Sequence, residues 1–92
     1  MFLLEIKLKK EQMTDDRLNN HRQWFKRYFE LGKFKIVGPF KDIKNAGVIL
    51  AQTEKREEME KIISEDAFYP DGAKYELHEF DPKLIAEDIK LP

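Results

Sequence analysis

Two histidines, His21 and His78, are the side chains with which this 92-residue chain could move a proton near neutral pH. His21 stands where an explanation is needed. At 100° per residue, Arg17, Leu18, His21, Trp24, Phe25, Tyr28 and Phe29 share one face of the segment from Thr14 to Gly32, which places the imidazole inside an apolar arc. Burying an unpaired polar ring costs about 1–3 kcal/mol. The fold must therefore bring His21 a carboxylate, a carbonyl or a water, or open a pocket over it. The chain has no cysteine, and no serine lies near His21 in the predicted helix, so nucleophilic catalysis is poorly supplied. Proton abstraction next to a carbonyl, isomerisation or elimination suits these parts better. A histidine that only completes the core would satisfy the same constraint.

Arg17, one helical turn before His21, is placed to bind the anionic end of an acid substrate. A helix-start arginine paired with Asp15 or Asp16 accounts for it equally well. His78 reads as a sheet-face or interface residue. With the two histidines in different elements and no helical His/Glu ligand pair, no metal site is expected, and no cofactor motif is read.

The elements that must position these groups follow from periodicity. Phe2 to Lys9 alternates, with Leu4, Ile6 and Leu8 on one face and Glu5, Lys7 and Lys9 on the other, which predicts a half-buried strand. After a polar loop, Thr14 with Asp15 and Asp16 marks a helix start, and Gly32 marks its stop. Lys33 to Val37 is a second strand closed by Gly38-Pro39, and Lys41 to Ala46 is a hairpin connection. Gly47 to Ala51 is the most continuously apolar strand and is expected to be central. Thr53 is read as the cap of a second helix running to Ser64, with Met59, Ile62 and Ile63 as its buried side. Asp66 to Gly72 is an irregular loop. Tyr75 and Leu77 alternate with Glu76 and His78 in a fourth strand that ends at Asp81-Pro82. The tail, residues 83–92, is set apart from the domain at 1–82 as an arm with one weak helical turn around Leu84 to Ile89.

The order β-α-β-β-α-β names an α+β, ferredoxin-like sandwich: an antiparallel four-stranded sheet with both helices on one side. The bare side needs a cover, and a second copy packed sheet to sheet is the simplest candidate. Composition agrees with one small folded domain, since hydrophobic residues make up 41% and seven Phe, three Tyr and one Trp supply core material. The longest apolar runs are a few residues and no signal segment opens the chain, so a cytoplasmic protein without membrane contact is expected. Residues 1–44 carry 11 basic and 6 acidic side chains and residues 45–92 carry 6 and 12, giving halves of +5 and −6 and a net charge of −1. The basic residues come singly among acids, so nucleic acid is not an expected partner.

At this point the chain resembles the YciI-like (YCII-related) family, small domains similar to the dimeric α/β barrels of muconolactone isomerase type. The resemblance rests on Arg17, His21 and Gly32, the Gly38-Pro39-Phe40 turn, Gly47, Asp66 with Phe68, and Tyr75 with Phe80, from about Phe2 to Pro82. It implies a homodimer whose sheets face each other and a His21/Asp66 pair beside a cleft, with Arg17, Gly38 and Pro39 near the same cavity. The family is mostly of unknown activity and includes a dehydrochlorinase. Two features depart from its pattern: Asp66-Ala67-Phe68 replaces an Asp-Pro-aromatic triplet, and Ala46-Gly47-Val48 lacks a serine.

Beside Asp66, the loop rings Phe68 and Tyr69 are positioned to close over a ligand, although Phe68 could equally plug the end of the sandwich. The reading is thus a small-molecule enzyme of lyase or isomerase type that uses His21 and Asp66 as general acid and base. The alternative is a non-catalytic module that binds a small ligand or another protein.

Overall fold

Alternation places the first strand, β1 (Phe2–Leu8), with Phe2, Leu4 and Ile6 buried and Leu3, Glu5 and Lys7 on the opposite face. The computed structural model describes all residues, 1–92. A short 3₁₀ turn, Lys10–Gln12, leads into α1 (Asp15–Glu30). The Thr14 hydroxyl accepts the Arg17 backbone N–H at 3.1 Å, and Asp15 and Asp16 sit in the first turn, where the helix dipole favours acids. Past the last turn, Gly32 takes φ +79°, a left-handed conformation that side chains rarely adopt.

Four further elements complete the chain: β2 (Phe34–Pro39), β3 (Ala46–Ala51), α2 (Arg56–Ser64) and β4 (Ala73–Glu79). The sheet runs β2-β3-β1-β4 with every neighbouring pair antiparallel, so the two apolar strands β1 and β3 are central, as their patterns predict. This is the α+β, ferredoxin-like arrangement. One sheet face carries Phe2, Leu4, Ile6, Phe34, Ile49, Ala51 and Ala73 into a core shared with Trp24 from α1, Met59, Ile62 and Ile63 from α2, and Phe68. Fully burying each large side chain of this set contributes about 1.5–3 kcal/mol.

Some local expectations need correction. The second strand extends past Val37 to Pro39, because β2 is an edge strand and a missing N–H there need not break a ladder bond. Lys55, not Thr53, precedes α2 and offers no side-chain cap; the Thr53 hydroxyl instead donates to the Lys55 carbonyl at 3.1 Å. Phe29, in the last turn of α1, is 55% exposed and does not join the buried face. Between Leu84 and Ile89 no helix forms and a single turn stands at Glu87 and Asp88, and the apolar side chains Leu84, Ile85, Ile89 and Leu91 of the tail are all exposed.

Candidate functional site

α1 and the loop after α2 bring His21 and Asp66 together across 45 residues of sequence. The His21 Nδ1–H donates to Asp66 Oδ1 at 2.6 Å, and because a carboxylate only accepts, Nδ1 carries the hydrogen. The other carboxylate oxygen is occupied too. The Tyr75 hydroxyl, on β4, donates to Asp66 Oδ2 at 2.6 Å. Asp66 has a fully buried side chain, and that of His21 is only 13% exposed. Neutral tyrosine and charged carboxylate suit each other here. Burial, then the bonded Asp66 carboxylate, pushes the Tyr75 phenol well above its ordinary value of 10, with Arg17 opposing, so Tyr75 remains a donor across the neutral range.

The Asp66 carboxylate is aimed by the backbone around it. Asp66 N–H donates to the Ile63 carbonyl at 3.1 Å as α2 ends, and the Asp66 carbonyl accepts from Tyr69 N–H at 3.0 Å. The loop closes when Gly72 N–H reaches the Phe68 carbonyl at 2.7 Å; a Cβ at Gly72 would lie 2.8 Å from that oxygen, so only glycine fits. The end of α2 is clamped to α1 as well. Trp24 Nε1–H donates to the Ile62 carbonyl at 2.8 Å, Arg27 pairs with Glu65 at 2.9 Å, and the Tyr28 hydroxyl donates to Glu65.

Aromatic rings fix the plane of the imidazole. Trp24 stacks on it at 5.7 Å between centroids, and Phe25 and Phe68 meet it edge-on, each at 5.4 Å. The remaining ring nitrogen, Nε2, bonds to no other protein group, and the His21 ring borders a cavity of about 760 Å³. That space lies between the first half of α1, β2 and β3, and the 40–45 connection. Leu18, Phe25, Val37, Ile43 and Ile49 give it apolar walls, and Arg22, Lys41, Asp42 and Lys44 supply charge.

The structure separates the residues that the sequence nominated. Gly38 and Pro39 line the cavity with His21. Asp66 stands behind the imidazole, away from the space. Arg17 does not line it: its guanidinium donates to Gln12 Oε1 at 2.8 Å and lies 5.5 Å from the centre of the Phe68 ring. Phe68 is fully buried at the end of the sandwich, and Tyr69 is 44% exposed, 5.8 Å from the Tyr75 ring. Neither borders the cavity.

Sequence reasoning placed Tyr75 in the strand but missed its bond to Asp66. The available signal was a phenol on the apolar face of β4, where a hydroxyl needs a partner. Lys41 and Lys44 were missed as cavity residues because their connection has no periodicity to orient it, and Arg22 because it stands outside the apolar arc of α1. No three His, Asp or Glu side chains converge to hold a metal ion, and no helix is long and apolar enough to cross a membrane.

Comparison with known proteins matches residues 1–81 to a family model described as YCII-related domain. No curated protein matches the chain.

Proposed function

The chain belongs to the YCII-related domain family, and from that premise we propose that it is a small-molecule enzyme of lyase or isomerase type, with His21 as general base and acid. One observation carries the reading: His21 gives Nδ1–H to a buried carboxylate, makes no other side-chain hydrogen bond, and lines a largely apolar cavity. In that tautomer Nε2 has a lone pair for a proton on carbon. When Nε2 takes the proton, the ring becomes an imidazolium, and the Asp66 carboxylate at 2.6 Å stabilises that charge without itself becoming protonated. The role of Asp66 is thus to orient and stabilise.

The bond that breaks is a C–H beside a carbonyl, and its electron pair passes into a new C=C. In an elimination the group on the next carbon leaves with its own pair; in an isomerisation an existing C=C one carbon further on breaks and gives its pair to the far carbon, to which Nε2 returns the proton. Tyr75 supports this chemistry indirectly, by holding Asp66 from the far side. Uptake of solvent deuterium at the carbon next to the carbonyl, followed by NMR over a panel of small carbonyl acids, tests the proposal. Exchange by the parent that is lost in His21→Ala and reduced in Asp66→Asn is the expected result. Exchange no faster than background across the panel, or equal exchange by His21→Ala, would overturn it.

The working form under this reading is a cytosolic homodimer joined through the uncovered sheet face. Across that face run Ile36, Leu50, Leu3 and His78 in one register row, with Glu5 opposite Glu76 and Lys7 opposite Lys74 in the rows beyond. Like charges directly opposite one another disfavour the isolated sheet, only partly offset by the exposed Lys74–Glu76 pair at 3.5 Å, and a second copy that set glutamates against lysines would relieve them further. Sedimentation is expected to give a dimer that Leu50→Lys converts to a monomer; a parent monomer at all concentrations would contradict it.

A further inference from the structure

We propose that the cavity takes an amphipathic organic anion, apolar along its length and carrying a carboxylate or phosphate at one end, with Arg22, Lys41 and Lys44 receiving the charged end. The proposal rests on the reading that the His21 cavity is a ligand site. Its volume, about 760 Å³, is in the range of small-molecule sites, and its walls are mainly apolar. The edge is different in kind. Arg22 from α1 and Lys41 and Lys44 from the 40–45 connection reach the cavity from two sides, and the single acid among the lining residues is Asp42. That leaves two uncompensated positive charges beside an apolar space.

These cations are also unspent. Arg22, Lys41 and Lys44 have no carboxylate within 4.0 Å and make no side-chain hydrogen bond, a state they share with Lys26, Lys35 and Lys55; what sets them apart is that they line the cavity. Arg17, the cation nearest His21 in sequence, is engaged by Gln12 and Phe68 instead. A ligand with a neutral polar end would leave the rim cations unused and gain only from the walls. An anion uses both, and its charge fixes which end enters first.

Isothermal titration with octanoate, octyl phosphate and octanamide, which share a chain and differ at the head, tests this on the full protein. The expected result is that at least one anion binds roughly tenfold or more tightly than the amide, and that Arg22→Gln/Lys41→Gln/Lys44→Gln abolishes the preference. Which anion binds better identifies the head group. Exposed lysines away from this cavity provide the matched control, and Lys26→Gln/Lys35→Gln/Lys55→Gln is expected to keep the preference. Equal binding of amide and anion, a preference that survives in the rim variant, or binding of none of the three below about 10 mM would overturn the proposal.

The two readings fail separately. Anion binding with the rim dependence, but no deuterium exchange on any substrate, would leave the ligand class standing and remove the catalysis. Exchange on neutral carbonyl compounds without any anion preference would do the reverse.

Discussion

Replacing Asp66 by alanine removes the acceptor for two donors at once, and the structure sets the size of the loss. The Asp66 side chain is fully buried, that of His21 is 13% exposed, and both bonds to the carboxylate are 2.6 Å. Breaking a buried hydrogen-bonded pair by deleting one partner costs about 3–5 kcal/mol, most of it from the partner left without an acceptor. A domain of this length has roughly 5–14 kcal/mol of total stability, so Asp66→Ala is expected to remove a large fraction of it. At about 4–8 °C per kcal/mol, the melting temperature falls by at least about 12 °C.

Asp66→Asn is expected to cost less, about 1–3 kcal/mol, because its carbonyl still accepts from His21 while its amide donates to a reoriented Tyr75 hydroxyl. Urea titration followed by the single tryptophan, Trp24, which is 3% exposed, reads both variants. A loss below about 1 kcal/mol for alanine would refute the reasoning by showing that neither bond matters to the folded state, and equal losses for the two variants would refute it by showing that an amide restores neither bond.

Tyr75→Phe removes one of the two bonds and is expected to cost about 1–2 kcal/mol in the same titration, with the folded spectrum kept; no measurable loss would disconnect Tyr75 from Asp66. Because the fold raises the Tyr75 phenol above its ordinary value, its stabilising contribution is complete below about pH 10 and declines as pH rises through and beyond that range. Alkaline unfolding of Tyr75→Phe should therefore show a shallower loss with pH than the parent, and parallel curves would contradict this. Gly47→Ala places a Cβ 2.8 Å from the Gly38 carbonyl oxygen, so the β2–β3 pair must shift, at about 1–3 kcal/mol by thermal melting; an unchanged melting temperature would show that the strands are looser there. Trp24→Phe deletes the bond from the indole to the Ile62 carbonyl and should cost about 1–3 kcal/mol, chiefly by loosening the end of α2, which amide exchange at Ile63 to Asp66 would report.

The elements were largely legible because period and punctuation agree. Leu4 and Ile6 alternate with Glu5 and Lys7, Thr14 opens α1, Gly32 closes it, and the apolar β1 and β3 lie at the centre of the sheet. His21 was legible as a polar ring on an apolar face. Its contact with Asp66 came from family resemblance alone, since a bond between residues 45 positions apart leaves no local trace.

Arg17 shows how spacing can mislead. It is one turn from His21, but helical side chains lean toward the N-terminus, and its guanidinium ends on Gln12. Phe68 and Tyr69 are adjacent in sequence, yet one is fully buried and the other 44% exposed, because the loop that carries them follows no period. Thr53 has the right chemistry for a cap and sits too far from Arg56 to provide one.

The central claim is that Asp66 holds His21 in the Nδ1–H form and leaves Nε2 free at the cavity. Nitrogen-15 NMR of the His21 ring at alkaline pH, where an imidazole is neutral, reads that arrangement directly, with His78 in the same spectrum as an internal control. The account predicts Nδ1–H for His21 in the parent protein and loss of that preference in Asp66→Ala. Protonation at Nε2 in the parent, or a tautomer indifferent to the removal of Asp66, would contradict it.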